Sequence, residues 1–536
     1  MRRASGARHA ITAAAVMLLA LAAGGSALAT ATTTTTSTTS PTVSPQSWTV
    51  YHGDAEGSGV ATSIASVNVS SPAWTSPALD GQLYGEPLVS GGRVYVATEN
   101  DTVSALSATT GAVIWSTHLG TAVPSSSLPC GDISPTVGVT GTPVIDETRG
   151  EIFVVADELV SGSPAHHLVG LSTASGKTEL SQDVDPAGST PAALLQRTGL
   201  TLDAGRVVFG YGGNYGDCST YHGWVMAVPE GGGTAAAFAV DSAAGESQGA
   251  IWMGGAAPVV DASGNIWVTA GNGSVYSSSH PYDHSDSVLE LSPSLALEQY
   301  FAPSSWPSDN AHDLDMSTAV ALLSDGQVVA AGKGRTVHLL NGTSLGGIGG
   351  QQAQLAHACG SDIDGGVAVD AMTVYLPCLS GPIAVQVSDS PAGLRLLWSS
   401  SVGGGPPIVA GGLVWTIGSN GVLYGVNPTS GAVRDQATIG APANHFPTPS
   451  VGAGLLLAPS AERVVAFRAA SSGPAPARTT TTTSGPSTTM PSTTVPAAQP
   501  GGTSPWIIAA AIVGGIAVLG VLTWLIRRRR GREGGP

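Results

Sequence analysis

Residues 86–120, EPLVSGGRVYVATENDTVSALSATTGAVIWSTHLG, contain one complete copy of the unit from which the middle of this chain is built. Four short segments of this stretch have strand character: 87–89, 93–98, 103–106 and 112–117. Their alternating apolar residues and the short turns between them predict antiparallel strands joined by hairpins. Because a single four-stranded sheet cannot bury both of its faces, copies of this sheet must pack against one another around an axis.

The same apolar strand core recurs along the chain. Its eight copies are centred on Val94, Phe153, Val208, Trp267, Val328, Val374, Val414 and Leu455. The last copy ends near Ala470 without an outer tryptophan strand, whereas an unpaired one, PAWT, opens the domain at 72–75. We expect this first strand to complete the last copy, because ring closure removes exposed sheet edges. The sequence therefore predicts an all-β, eight-bladed β-propeller with four-stranded antiparallel blades over residues 48–470.

The repeat VYVAT, a turn, then VSALSATTGAVIW resembles that of the pyrroloquinoline quinone (PQQ) type β-propellers of bacteria. Blades of that family typically contain alanine-leucine-aspartate-alanine, then threonine-glycine, then tryptophan, and Ser107 stands here in place of the aspartate. The resemblance covers residues 48–470. The family includes dehydrogenases that use the quinone and also binding or assembly proteins without a cofactor. The resemblance therefore implies the fold, and the function must be argued from the site.

The two ends of the chain differ in composition from the repeats. Residues 1–29 combine early arginines, an apolar run and small residues at the end, which is typical of a secretory signal peptide. Residues 30–47 and 471–504 are rich in threonine, serine and proline, and predict extended linkers. Residues 505–526 contain a run of 21 residues without a charge, enough for a transmembrane helix. The arginines of 527–536 predict a cytoplasmic tail and therefore an extracellular propeller.

The composition limits the kinds of molecule that the protein is expected to bind. Only 10% of the residues are charged and the net charge is −16, against roughly 25% charged residues in typical domains. An acidic surface argues against a nucleic-acid partner. We expect a single-pass protein of the cell membrane, attached through its C-terminal helix, with a protein or glycan as the ligand of the propeller.

The four cysteines favour two disulfide bonds, because their number is even and the chain is expected to be exported. Three pairings are open. We favour Cys130 with Cys218 and Cys359 with Cys378, since each pair lies within one repeat or in neighbouring repeats. The sequence has no CxxC or CxxCH motif, so it supports neither a cysteine metal site nor a covalent haem.

Candidate functional residues concentrate between residues 211 and 335, in the third to fifth repeats. PQQ dehydrogenases use a carboxylate and an asparagine to bind Ca²⁺, a tryptophan under the quinone, an aspartate base and a cation beside the quinone oxygens. Set against that order, the resemblance assigns calcium binding to Asp217 and Asn272, PQQ binding to Trp252 and Lys333, and the role of general base to Asp313. Oxygen ligands suit Ca²⁺, and a carboxylate beside a hydroxyl can accept its proton.

The sequence also departs from the dehydrogenase pattern. It lacks an adjacent cysteine pair, His312 replaces the tryptophan before the base, and Asp217 stands where glutamate is usual. An alternative interpretation is structural, because aspartate and asparagine close turns by bonding to nearby backbone N–H groups. Tryptophans such as Trp115 and Trp398 most often pack one blade against the next. An acidic loop such as residues 309–315 is also a candidate for structural calcium.

Two functions therefore remain open. The first, which we favour, is an extracellular, membrane-anchored binding or scaffold module at the cell surface with no firmly bound cofactor. The alternative is a PQQ- and calcium-dependent quinoprotein dehydrogenase that oxidises an alcohol or sugar outside the membrane. A separation of more than about 15 Å between Asp313 and Lys333 would exclude the alternative, because a base and a quinone-binding cation must share one small site.

Overall fold

A computed structural model of the chain describes residues 46–471. The predicted signal peptide (1–29), the predicted membrane helix (505–526), the tail and most of both linkers lie outside the described residues. The described residues belong to one unit of the chain, and a second unit, Pro476–Pro536, lies outside them. Within residues 46–471, no helix is both long and apolar enough to cross a membrane.

The chain enters through a single-turn 3-10 helix, Tyr51–Gly53, and three short strands. These strands are β1 (Val60–Ala61), β2 (Ile64–Asn68) and β3 (Trp74–Thr75). They pair with strands from the C-terminal part of the chain, as described below.

Blades one to three follow in chain order. The first contains β4 (Leu88–Ser90), β5 (Arg93–Thr98), β6 (Thr102–Ser107) and β7 (Val113–His118). A hairpin of β8 (Val123–Pro124) and β9 (Thr136–Val137) follows it. The second contains β10 (Val144–Asp146), β11 (Glu151–Val160), β12 (Ser163–Ser172) and β13 (Thr178–Asp183). The third contains β14 (Leu194–Leu195), β15 (Thr201–Asp203), β16 (Arg206–Gly213), β17 (Trp224–Pro229) and β18 (Ala236–Ala239). Short 3-10 turns lie at Ser125–Ser127, Pro191–Ala193 and Met253–Gly255.

Blades four and five are separated by the α-helix α1, Trp306–Ala311. The fourth contains β19 (Val259–Val260), β20 (Ile266–Ala270), β21 (Ser287–Leu291) and β22 (Leu297–Ala302). The fifth contains β23 (Ala321–Leu322), β24 (Gln327–Ala331), β25 (Val337–Asn341) and, after β26 (Gly347–Ile348), β27 (Ala353–Leu355). Strand β26 does not join the fifth blade, because it pairs in parallel with β22 of the fourth.

Blades six to eight complete the ring. The sixth contains β28 (Ala368–Asp370), β29 (Thr373–Leu376), β30 (Ile383–Asp389) and β31 (Ala392–Ser399). The seventh contains β32 (Ile408–Ala410), β33 (Leu413–Ile417), β34 (Val422–Val426) and β35 (Val433–Thr438), with β1 added in parallel to β32. The eighth contains β36 (Ser450–Gly452), β37 (Leu455–Ser460) and β38 (Arg463–Ser471).

The predicted eight-bladed propeller is confirmed. All eight predicted strand centres lie on the second principal strand of their blades: β5, β11, β16, β20, β24, β29, β33 and β37. These strands are buried on both faces, whereas outer strands such as β7 and β13 alternate between exposed and half-buried residues. The alternation fits a sheet edge that packs on one face only.

The ring is closed by the N-terminal strands, as predicted for residues 72–75. Trp74 of β3 lies opposite Ala466 of β38 in an antiparallel pair. The structure adds a second closing strand that the sequence did not indicate, since β2 also pairs with β38 and places Val67 opposite Ala469. Closure therefore joins the start of the domain to its end through backbone hydrogen bonds.

At three of the blade junctions, an outer tryptophan attaches one blade to a turn of the next. Trp115 shows the contact: its Nε1 donates to the carbonyl of Thr173 at 3.1 Å. Gly176 of the same turn has φ +71, and a Cβ added there would lie 2.5 Å from a carbon of the Trp115 ring. The same contact joins Trp74 to the turn at 108–111 and Trp398 to the turn at 428–431. The turn glycine and the tryptophan of the repeat thus serve blade packing.

Both favoured disulfide pairings are confirmed. Cys130 bonds to Cys218 and Cys359 to Cys378, with Cα–Cα distances of 6.2 and 6.1 Å. The first bond ties the β8–β9 hairpin to the loop after β16, next to Asp217.

Candidate functional site

Loops from around the ring enclose a cavity of about 540 Å³, which we call the central cavity. Four of the five predicted site residues line it: Asp217, Trp252, Asp313 and Lys333. They come from different places, since Asp217 follows β16, Trp252 precedes β19, Asp313 follows α1 and Lys333 follows β24. The propeller therefore brings together residues that are more than one hundred positions apart in the chain. Their predicted roles stay predictions.

Lys333 forms the electrostatic centre of this group. Its Nζ lies 3.1 Å from both carboxylate oxygens of Asp313 and 2.5 Å from Oδ2 of Asp315. Asp315 is buried, whereas the Asp313 side chain is 63% exposed. Burial lowers the pKa of Lys333, but the carboxylates of Asp315 and Asp313 outweigh it and hold that pKa above its usual value. Asp313 therefore lies in an ion pair with Lys333.

Asn272 does not line the central cavity, but it contacts the same carboxylates. It follows β20, and its backbone N–H donates to Oδ1 of Asp315 at 2.7 Å. The side-chain amide of Asn272 is oriented so that its nitrogen, not its oxygen, faces the carboxylates. In this orientation the nitrogen donates to Oδ1 of Asp313 at 3.3 Å and to Oδ1 of Asp315. Asn272 thus stabilises the two carboxylates as a donor, and its amide nitrogen faces them.

Asp217 lies at the edge of the group with φ +45. Its Oδ1 accepts a hydrogen bond of 2.6 Å from the hydroxyl of Tyr221. Burial raises the pKa of Asp217, and the hydrogen bond from Tyr221 opposes that change. The disulfide of the adjacent Cys218 holds this loop in place.

Trp252 supplies an aromatic wall. Its Nε1 donates to the carbonyl of Gly213 at 2.9 Å, which fixes the ring against the end of β16. Lys333 Nζ lies 5.9 Å from its ring centroid, within the range of a cation–π interaction. Trp252 and Lys333 thus lie side by side in the lining of the cavity.

A protein cation already occupies the carboxylates beside Asn272, one of the two predicted calcium ligands. The ammonium group of Lys333 lies against the carboxylates of Asp313 and Asp315. Within residues 46–471, no group of three or more His, Cys, Asp or Glu side chains is placed to hold a metal ion. A divalent cation at these carboxylates would have to displace Lys333.

Sequence reasoning missed Arg197, which also lines the central cavity. It lies in the loop between β14 and β15 and is only 8% exposed. Its guanidinium carbon lies 5.8 Å from the ring centroid of Tyr84 and 5.7 Å from that of Phe446. Arg197 belongs to no recognisable motif. The available signal was an arginine in a short polar stretch between leucines, LLQRTGL, in a chain with few cations.

Comparisons with known proteins agree with this fold. The family model described as outer membrane protein assembly factor BamB matches residues 18–280. The quinohemoprotein alcohol dehydrogenase from Comamonas testosteroni is similar in structure with 14% identity, 79% of this chain and 80% of that chain covered, and a TM-score of 0.60. A second such enzyme, from Pseudomonas putida HK5, has 13% identity, coverage of 79% and 80%, and a TM-score of 0.56.

A europium-containing methanol dehydrogenase is also similar, with 13% identity, 79% of this chain and 90% of that chain covered, and a TM-score of 0.56. No curated protein matches the chain in sequence. At these identities the structural likeness concerns the fold alone. In its repeats and in its fold, the chain resembles the PQQ-type β-propeller proteins.

Proposed function

We propose that this protein is a binding module at the cell surface, and that the central cavity is its ligand site. In this proposal residues 505–526 anchor the chain in the membrane and the propeller faces the exterior. The supporting observation is the convergence of charged and aromatic side chains from several blades on one cavity of about 540 Å³. Concave sites of this size, built on loops of a rigid scaffold, commonly bind small molecules or parts of larger ligands.

The chemistry of the cavity favours a hydroxylated ligand such as a glycan. Carboxylates of Asp217 and Asp364 line it and can accept hydrogen bonds from hydroxyl groups. Burial raises the pKa of Asp364 to about 6, and Ser317 donates a hydrogen bond to it. Trp252 and Tyr215 add ring surfaces against which the apolar face of a sugar can pack.

Two exposed tyrosines allow a matched test of this proposal. Tyr215 lines the cavity and is 68% exposed, whereas Tyr276 is 57% exposed and does not line it. The full-length chain in detergent would be applied to an array of bacterial and plant glycans, together with Tyr215→Ala and Tyr276→Ala. We expect glycan binding that Tyr215→Ala weakens at least fivefold and Tyr276→Ala leaves unchanged. Binding that is absent, or equal in all three proteins, would contradict the proposal.

A second candidate is a quinoprotein dehydrogenase. The observation that favours it is that Asp313 and Lys333 share one site, with Nζ 3.1 Å from the carboxylate, well inside the limit set from the sequence. Trp252 lies beside them. We rank this function second because the carboxylates of Asp313 and Asp315 are already paired with Lys333, which makes them a poor site for a calcium ion.

Dye reduction tests the second candidate. The full-length chain would be incubated with PQQ, Ca²⁺ and a panel of alcohols and sugars in the presence of an artificial electron acceptor. We expect no reduction above that of a Lys333→Met control. Substrate-dependent reduction that Asp313→Asn abolishes would establish the dehydrogenase and displace the binding proposal.

A further inference from the structure

Arg197 is a buried cation without a protein counter-ion. Only 8% of the residue is exposed, and that part faces the central cavity. Among the residues that the structure describes, Arg197 makes no hydrogen bond and no ion pair. A guanidinium group has five N–H donors in a fixed fork, and buried donors of a charged group are almost always paired. The donors of Arg197 are therefore available to a ligand.

Rings and backbone, rather than a carboxylate, fix the position of Arg197. Tyr84 and Phe446 lie within cation–π range of its guanidinium carbon. Gly255 approaches from the protein side, and a Cβ added there would lie 2.3 Å from Nη1 of Arg197. The guanidinium group is thus held in place by contacts that leave its hydrogen-bonding capacity unused.

The acidic groups that interact electrostatically with Arg197 are weak counter-ions. Glu99 and Asp132 interact electrostatically with Arg197, but neither forms an ion pair with it. Burial raises the pKa of Glu99 to about 7, and one of its carboxylate oxygens already accepts bonds from Gly138 and Thr140. Asp132 is exposed to solvent. The positive charge of Arg197 is therefore only partly balanced by the protein.

The other cation of the cavity is already neutralised. Lys333 is paired with Asp313 and Asp315, so Arg197 is the cavity cation left without a carboxylate partner in the described part of the chain. A single guanidinium fork matches the two oxygens of one carboxylate in a bidentate pair. A phosphate can form the same bidentate pair, but as a dianion it is repelled more strongly than a monoanion by the carboxylates of Asp217 and Asp364, which line the same cavity.

We propose that Arg197 forms an anion subsite of the central cavity, and that the ligand is a small sugar acid whose carboxylate binds Arg197. The hydroxyl groups of such a ligand would donate to the carboxylates of Asp217 and Asp364, which line the same cavity. This inference rests on the proposed function, because it takes the central cavity to be the binding site. It adds the charge and the chemical class of the ligand.

Saturation-transfer NMR on the full-length chain in detergent tests the inference with three probes that share one pyranose ring and differ at C6: D-glucuronate, D-glucose and D-glucose 6-phosphate. For the wild-type chain we expect glucuronate to bind at least tenfold more tightly than glucose, and more tightly than the phosphate. Arg197→Gln should abolish the preference for glucuronate. Arg434→Gln, at an exposed arginine on β35, should retain it.

The outcomes separate the subsite from the cavity. Equal binding of glucuronate and glucose would overturn the anion subsite and leave the cavity as a glycan site. Tighter binding of glucose 6-phosphate would overturn the assignment to a carboxylate. Binding of none of the probes would overturn the sugar-acid class, whereas the comparison of Tyr215 with Tyr276 tests the cavity separately. The comparison of probes on the wild-type chain needs no variant, so misfolding of Arg197→Gln would not obscure the result.

Discussion

At the scale of single residues, the central cavity depends on how buried charges are balanced. Asp315 is buried and relies on Lys333, whereas Arg197 has no such partner. A buried ion pair contributes little when intact, but removal of one partner leaves an uncompensated charge. The stability of this region should therefore respond strongly to changes at Lys333.

Lys333→Met should lower the free energy of unfolding by about 3–5 kcal/mol, because it leaves the buried Asp315 carboxylate without its cation. The double variant Lys333→Met with Asp315→Asn should recover most of this loss. Lys177→Met is the matched control, since Lys177 is the other lysine of the chain and its side chain is 71% exposed. Urea denaturation measures the free energy of unfolding of the three variants and of the wild type. A loss at Lys333 no larger than that at Lys177 would show that the ion pair does not stabilise the fold.

Glu99 should make stability depend on pH. Burial raises its pKa from 4.5 to about 7, so the folded protein binds a proton that the unfolded chain releases at lower pH. This group therefore weakens the fold as the pH rises from about 4.5 to 7, by up to roughly 3 kcal/mol. Glu99→Gln should remove that part of the pH dependence, whereas Glu298→Gln, at an exposed position, should not. The urea midpoints of the wild type and both variants at pH 5, 6, 7 and 8 measure this pH dependence. Parallel profiles for wild type and Glu99→Gln would contradict the prediction.

At the scale of elements, the glycine in a turn that contacts an outer tryptophan has two functions. Gly176 adopts φ +71 and also leaves room for the ring of Trp115. A non-glycine residue is strained at positive φ, and a side chain in this position would collide with the ring.

Gly176→Ala should therefore cost about 2–4 kcal/mol, the sum of backbone strain and steric overlap. Gly92→Ala is the control for strain alone, since Gly92 has φ +75 and no atom lies within 4 Å of the added Cβ. It should cost about 1–2 kcal/mol. Thermal unfolding of both variants measures the difference. Equal losses would mean that the Trp115 contact does not constrain the turn.

The sequence predicted the elements better than it predicted the site. Alternation of apolar residues and turn chemistry located the second strand of every blade, because these strands are mostly buried and follow turns. The pairing of β2 with β38, the β8–β9 hairpin and the short helix α1 depend on tertiary contacts. No pattern in the nearby sequence predicts them. Matching the order of functional residues in PQQ dehydrogenases identified four side chains that line the cavity. Arg197 belongs to no motif and could not be identified in this way.

At the scale of the whole molecule, the ring is held closed by the N-terminal strands on β38. Trp74 lies at this closure, is 8% exposed and donates to Ala108 of the first blade. The first and last blades are therefore linked through one side chain as well as through strand pairing.

Trp74→Ala should lower the unfolding free energy by about 3–5 kcal/mol. It should also accelerate amide exchange in both β38 and β5, because opening of the closure exposes the two blades together. Trp398→Ala removes the same contact between blades six and seven and serves as the control. Hydrogen-exchange mass spectrometry would locate the change. Faster exchange limited to β3 would show that the N-terminal strands are only an appendage.

The most direct test of the central claim is calorimetric titration of PQQ into the full-length chain, with and without Ca²⁺. In the proposed binding site, Lys333 rather than calcium occupies the carboxylates of Asp313 and Asp315. We therefore expect that Ca²⁺ does not change the heat of the titration with PQQ. Micromolar binding that requires Ca²⁺ and is lost in Asp313→Ala or Asn272→Ala would contradict it and identify a quinoprotein.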